Sequence, residues 1–164
     1  LGWRGQKADI FEGGHRVPFL VSGPGIPAGE VREDLACLTD LLATAAAITG
    51  TEPSADSGED SFDLSPLLFE SDGEFERSDC VHHSLDGMFA VRKGPWKLIE
   101  GRGSGGFTAP KREKVAQGEA SGQLYHLVDD PSEKKNLWLD EPDVVAELQA
   151  LLDQRRASGR SGPQ

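Results

Sequence analysis

Lys7-Ala-Asp-Ile-Phe-Glu12-Gly-Gly-His-Arg16-Val-Pro18-Phe-Leu-Val-Ser-Gly-Pro-Gly25 is the stretch that decides the fold. Its first half is polar and broken by glycine, crowding Lys7, Asp9, Glu12, His15 and Arg16 together. Its second half is an apolar burst, Val17 to Val21, that stops at Gly-Pro-Gly. This plan reads as a charged loop running into a buried strand, the junction at which α/β proteins hold charged groups over a rigid sheet. Gly13 and Gly14 allow a positive φ or a close backbone approach, and Pro18 biases Val17 toward an extended conformation. Taken residue by residue, the stretch also has a plainer reading: a solvated Lys7, an i,i+4 pair between Glu12 and Arg16, and ordinary turn glycines.

Outward from this stretch, a Pro/Gly turn at Ile26–Glu30 leads into Val31–Gly50. There Leu35, Leu38, Leu41, Leu42, Ala45, Ala46 and Ile48 recur at three- and four-residue spacing. The spacing predicts a helix ending at Gly50, with Thr39 or Asp40 as a cap. Residues 51–79 are polar and acidic and read as a surface connection with one helical turn at Leu64–Phe69. Three short strands follow, Cys80–Ser84, Met88–Arg92 and Trp96–Glu100, separated by turns that carry Gly87 and Gly94, so an antiparallel meander is expected. A Gly/Ser- and charge-rich excursion, Gly101–Gly122, comes before a further strand over Gln123–Asp129; a loop of that length in a small domain is either flexible or functional. Pro142–Arg156 then places Val144, Val145, Leu148, Leu151 and Leu152 on one helix face. Acidic residues stand at the start of that helix and Arg155 and Arg156 at its end, as its dipole favours.

The chain has 164 residues and a formal net charge of -11. Such an acidic chain disfavours nucleic acid and anionic membrane as partners, and no apolar run is long enough for a membrane span. A chain that starts at Leu1, inside a functional-looking loop, is expected to be a piece of a longer protein. Cys37 and Cys80 are too few for a disulfide scaffold and belong to no zinc pattern; Cys37, on the apolar side of the helical pattern, reads as a buried thiol.

The order of Lys7, Glu12 five residues on, Gly-Gly-x-Arg-x-Pro and an apolar strand resembles the sulfatase family. Leu38-Thr-Asp-Leu-Leu-Ala-Thr, Ala90-Val-Arg-Lys-Gly-Pro-Trp-Lys-Leu-Ile, Leu124-Tyr-His-Leu and Asp130-Pro-Ser-Glu-Lys-Lys-Asn-Leu137 look like later segments of the same family. In Gly58-Glu-Asp-Ser-Phe-Asp-Leu, Glu59-Asp60 stands where the family has Asp-Gly. The resemblance implies an α/β (α+β) fragment. Residues 1–79 would be the end of an alkaline-phosphatase-like α/β domain and 80–157 a small antiparallel sheet with a C-terminal helix, followed by a disordered tail over 158–164.

In the family the nucleophile is a formylglycine made from Cys or Ser and held beside a calcium ion. The nearest match to its motif, Ser22-Gly-Pro-Gly-Ile26, has Ile26 where an Arg is needed, so nucleophile and calcium ligands are expected in the parent enzyme but not in this chain. What carries over is Lys7, at the position of the family lysine that contacts the substrate sulfate. His82 and His83, which a strand would point to opposite faces so that at most one meets a cleft, are the candidates for substrate contact on the pocket wall, against the plainer expectation of a histidine hydrogen-bonded within the sheet. The partner expected is a sulfate-ester small molecule or a sulfated carbohydrate. The isolated chain is expected to be inactive, with exposed apolar edges along Val17–Val21. The family is commonly exported, periplasmic or extracellular, and the residues here set no compartment. Two other readings are a related phosphodiester or phosphonate hydrolase, and a non-catalytic carbohydrate-binding module using Trp3, Trp96 and Trp138.

Overall fold

The computed structural model describes residues 2–54 and 56–163; Leu1, Ala55 and Gln164, the last residue of the expected tail, lie outside the described residues. The chain divides into two compact units, one of residues 1–17 with 81–157 and one of residues 18–80 with 158–164.

The first unit is built on an antiparallel meander of strands β1 (Asp79–His83), β2 (Phe89–Lys93), β3 (Trp96–Ile99) and β4 (Gln123–His126), in the order β1-β2-β3-β4. β2 and β3 form a tight hairpin, Lys93 opposite Trp96, closed by Gly94 at φ 54° and Pro95. Only a residue without a Cβ adopts that φ without strain. Alternation along β3 sends Trp96 and Leu98 to one face and Lys97 and Ile99 to the other. Val91, Leu98 and Leu124 meet Leu148 and Leu152 of helix α4 (Pro142–Ser158) on the first face. On the opposite face Ala90, Ile99 and Tyr125 pack with Ile10 and Phe11 from the N-terminal segment. The sheet is therefore covered on both faces. Each fully buried Leu or Ile contributes about 1.5–3 kcal/mol of transfer free energy.

In the N-terminal segment lies the one-turn helix α1 (Glu12–His15). Its glycines are there for space: a Cβ on Gly14 would come to 2.1 Å from the Asp9 carbonyl oxygen, and one on Gly13 to 2.6 Å from those of Arg4 and Gly5. The close backbone approach, not a positive φ, is what both residues serve.

The second unit holds a 3₁₀ turn (Leu38–Asp40) running into α2 (Leu41–Thr49) and a short helix α3 (Ser65–Phe69) with Pro66 in its first turn. α2 ends at Gly50, as its spacing predicts, in the left-handed conformation at φ 65°. The polar groups hold this end together. The Asp40 carboxylate accepts from the Cys37 and Phe62 backbone N–H groups at 2.7 and 3.1 Å and pairs with the buried Arg77 guanidinium. Ser61 Oγ accepts from the Ala43 N–H at 2.9 Å. At the C-terminal end of the chain, the Ser161 and Gly162 N–H groups donate to the Glu59 carbonyl at 3.2 and 2.8 Å.

Two expectations are corrected. The helix expected from Val31 begins only at Leu38: Val31 is exposed, and no apolar stripe forms over 31–37. The strand expected at Val17–Val21 is not formed; Val17, Phe19, Leu20 and Val21 are exposed and pair with no strand among the described residues. A strand's hydrogen bonds must come from a neighbour, so an apolar run without one stays irregular.

Candidate functional site

Lys7 is exposed at the tip of a turn whose flanks are tied down. The Asp9 N–H donates to the Gln6 carbonyl at 3.0 Å, the Gln6 N–H returns to Asp9 Oδ2 at 2.9 Å, and Ala8 sits at φ 82°. Such a φ is strained for a residue with a Cβ and persists only where the surroundings over-determine it. Here they do. Asp9 Oδ1 accepts from the Phe107 and Thr108 N–H groups at 2.7 and 3.0 Å, and Thr108 Oγ1 donates to Oδ2 at 2.5 Å. The Ala8 carbonyl accepts from the Leu85 N–H at 2.9 Å, and the Ile10 N–H donates to the Ser104 carbonyl at 2.8 Å. Burial pushes the Asp9 carboxyl up, but these donors outweigh it and hold it below its usual value. The Gly101–Gly122 excursion is thus neither strand nor loose loop: it folds back through Ser104–Pro110 and Gly105–Lys111 backbone bonds and clamps the Lys7 turn.

Three residues further on, Glu12 is buried and stands over a cluster of charges. Lys97, fully buried on β3, places Nζ 3.0 Å from Glu12 Oε1, 2.8 Å from Glu133 Oε1 and 3.1 Å from His15 Nε2. Arg16 and Arg92 approach Glu12 Oε2 at 3.6 and 3.9 Å. Glu133 Oε2 accepts from the Glu12 N–H at 2.7 Å, and the Glu133 carbonyl accepts from Arg4 at 2.8 Å. Arg4 also donates to the Tyr125 hydroxyl at 3.1 Å, which donates to Gln123 Oε1 at 2.8 Å. Burial pushes Glu12 up, and Lys97, His15 and Arg92 together bring it below its ordinary value; burial dominates at Glu133 and leaves it raised despite Lys97. Charges this far from water persist only when paired and hydrogen-bonded, and this network fixes the helix α1 against the sheet.

His82 and His83 leave β1 with different surroundings. The His82 ring lies 3.9 Å from the His15 ring at 48°, and its Nε2 is buried. Burial pulls both imidazoles down, Lys97 adding to the effect, so His15 falls to about 4 and His82 well below its ordinary value. Both rings are neutral at pH 7. His83 is exposed; its ring lies 5.7 Å from Phe89 and its Nδ1 2.8 Å from the Ser84 carbonyl. The Ala8–Leu85 bond joins the Lys7 turn to the end of the strand that carries both histidines, and the His15–His82 contact joins that strand to α1. Lys7 and His83 are exposed and His82 is half-buried.

Such an arrangement offers an exposed ammonium and imidazole on a rigid base, suited to holding an anionic or polar ligand. It does not fit a calcium ion. Among the described residues no group of three or more His, Cys, Asp or Glu side chains could hold a metal, and Asp9, Glu12 and Glu133 are engaged by donors of the chain itself. The tryptophans are half-buried: Trp3 lies under Arg16, Trp96 against His126, and Trp138 packs on the core beside α4.

Sequence reasoning overlooked Lys97 and Glu133. A lysine flanked by Trp96, Leu98 and Ile99 in a short strand was the available signal, since such a lysine is buried only when paired. Glu133 left none, because its partners lie far off in sequence.

No family model matches the chain. It is 33% identical over 155 residues to the N-acetylgalactosamine-6-O-sulfatase of Bacteroides thetaiotaomicron, a match that takes in 92% of this chain and 29% of that protein. It is 35% identical to the arylsulfatase A of Homo sapiens, over 96% of this chain and 34% of that one. Among solved structures, a Bacteroides thetaiotaomicron protein from work on the metabolism of multiple glycosaminoglycans superposes with a TM-score of 0.79 at 30% identity, over 94% of this chain and 32% of the other. A sulfatase from Pseudoalteromonas sp. shares the fold with a TM-score of 0.64 at 22% identity, over 94% of this chain and 33% of the other. The chain spans about a third of the length of the relatives it matches and corresponds to their C-terminal portion. The chain belongs to the sulfatase family, and its mixed α/β architecture is the end of that family's alkaline-phosphatase-like fold.

Proposed function

We propose that the full-length protein hydrolyses sulfate esters, and that this portion supplies Lys7 as the group that contacts the sulfate, with His82 and His83 in the wall of the substrate pocket. The observation that carries the reading is the Lys7 turn: an exposed ammonium at the tip of a strained loop, clamped through Asp9, Ala8 and Ile10. Strain of this kind, held in place by a surrounding frame, is a property of sites whose geometry matters. As a sulfate ester is cleaved, charge builds on the departing oxygen, and a fixed ammonium beside it stabilises that charge more than it stabilises the intact ester. His83, exposed at the same edge, would contact the alcohol portion of the substrate, with half-buried His82 behind it at the pocket wall. The family's formylglycine and calcium would be held by residues outside this chain, so residues 1–164 alone are expected to be inactive.

Relatives of this chain include N-acetylgalactosamine-6-sulfatases from Bacteroides thetaiotaomicron and Sus scrofa. A sugar 6-O-sulfate is accordingly the substrate class we assign. The test is the full-length protein assayed on N-acetylgalactosamine 6-sulfate, on its 4-sulfate isomer and on an aryl sulfate. Lys7→Ala is expected to lower kcat about 10²–10³-fold with unchanged thermal unfolding; a kcat within threefold of wild type would remove Lys7 from the reaction. A higher kcat/KM on the 4-sulfate would overturn the substrate class alone. Turnover by residues 1–164 above a Lys7→Ala control would refute the inactivity of the isolated portion.

A further inference from the structure

Cys37 and Cys80, read from the sequence as unrelated thiols, meet in the second unit. Cys37 is the N-cap of the 3₁₀ turn that opens α2, and Cys80 is the second residue of β1. One polar latch brings the two segments together. The Asp40 carboxylate accepts from the Cys37 N–H at 2.7 Å and pairs with Arg77, whose Nη1 in turn donates to the Asp79 carbonyl at 3.4 Å, one residue before Cys80. Arg77 is fixed from the other side by the Asp60 carbonyl at 3.0 Å and by the Phe62 ring, 4.2 Å beneath the guanidinium. Within this frame the Cys80 thiol hydrogen-bonds to the Cys37 sulfur. Both side chains are only half-buried, so a small reagent reaches them.

We propose that Cys37 and Cys80 are a reactive dithiol that closes to a disulfide by exchange with a small-molecule disulfide. The geometry assigns the two sulfurs different roles. Cys37 receives the Cys80 S–H and hydrogen bonds from Thr39 at the start of a helix, and Arg77 adds a positive charge nearby. These partners outweigh burial and bring the Cys37 thiol down to about 5, which makes it the attacking thiolate. Cys80, donating to Cys37 and more deeply buried, is pushed up and stays protonated until its partner has reacted.

In the first step the Cys37 thiolate attacks one sulfur of the reagent, forming a Cys37–reagent mixed disulfide and expelling one reagent thiolate. In the second, Cys80 gives its proton to the expelled thiolate or to water, and its sulfur attacks Cys37 Sγ, releasing the second reagent thiol. Two protein thiols are oxidised and one reagent disulfide is reduced. The bond formed would tie the start of α2 to the start of β1, the strand that carries His82 and His83.

The experiment uses the full-length protein equilibrated with oxidised and reduced glutathione, quenched in acid, alkylated and digested with trypsin. Cleavage after Arg32, Arg77 and Arg92 puts Cys37 in peptide 33–77 and Cys80 in peptide 78–92. The expected result is one species in which these two peptides are linked, two hydrogens lighter than their sum, and which disappears on reduction. In Cys80→Ser, glutathione is expected to remain on Cys37 as a stable mixed disulfide. In Cys37→Ser, Cys80 is expected to be modified at least tenfold more slowly than Cys37 in wild type. Alkylation of both cysteines at high oxidised glutathione, or glutathione on each without a link, would overturn the proposal. Because wild type is itself mapped, a variant that fails to fold does not remove the test.

Discussion

The two units differ in what they can bury. In the first, α4 sinks Leu148 and Leu152 completely and the N-terminal segment does the same with Ile10 and Phe11, so both faces of the sheet are closed. In the second, α2 buries only Thr44 and leaves Leu41, Leu42 and Ile48 half in water, and the large buried apolar side chains are Leu64 and Leu67. The first unit rests on hydrophobic burial, and the second on polar latches around Asp40, Arg77 and Ser61. A helix as apolar as α2 whose nonpolar side chains stay exposed has the composition of a buried element without its cover. The chain matches about a third of its relatives' length.

All three tryptophans, Trp3, Trp96 and Trp138, lie in the first unit, so indole fluorescence follows that unit's unfolding alone. The largest effect is expected from Lys97→Met. It leaves Glu12 and Glu133 buried without their shared ammonium and should cost about 3–5 kcal/mol in urea denaturation followed by fluorescence. A loss under about 1 kcal/mol would mean that the arginines suffice, and that the first unit does not depend on the buried cation. Next is Leu152→Ala, expected to cost about 2–5 kcal/mol in the same measurement.

The pH dependence comes third. His15 falls to about 4 in the fold against an ordinary 6.5, and His82 is shifted the same way, so the unfolded chain binds more protons between those values. Their contribution is fully present above pH 6.5 and is lost as pH falls toward 4. The urea midpoint should drop over that window by the equivalent of about 1–3 kcal/mol, after allowance for the partial exposure of His15, and His15→Gln should flatten the slope. A midpoint rising on acidification would reverse the assignment of neutral imidazoles.

The smallest effect is expected from Leu41→Ala in α2, within about 0.5 kcal/mol by amide hydrogen exchange of the second unit in residues 1–164. In the full-length protein the same change should cost several times more, because there the side chain is expected to be covered. Equal costs in both settings would break the contrast between the units.

Much of the first unit was legible because its information is local. Alternation over Phe89–Lys93 and Trp96–Ile99, the glycine between them, and the i, i+3, i+4 leucines of Pro142–Ser158 each specify an element from neighbours in the chain. Val17–Val21 misled for the complementary reason: apolar content marks a strand, but a ladder needs a partner. Lys7 was named from a motif, and His82 and His83 from the family's placement of this portion at the pocket wall; neither says what holds the residues. Asp9 fastened to Thr108, and Lys97 shared by Glu12 and Glu133, were invisible because each joins residues far apart in sequence through charges that read as surface groups.

From the order of its residues alone, this chain determined its family, its meander and closing helix, and the lysine at the tip of its turn, since turn chemistry and hydrophobic period act over a few residues. Only the tertiary structure decided that a lysine becomes a buried hub, that a glycine-rich loop becomes a clamp and that two distant cysteines meet. Desolvation and pairing depend on which groups the fold brings within a few ångströms, and one-dimensional spacing carries no record of that.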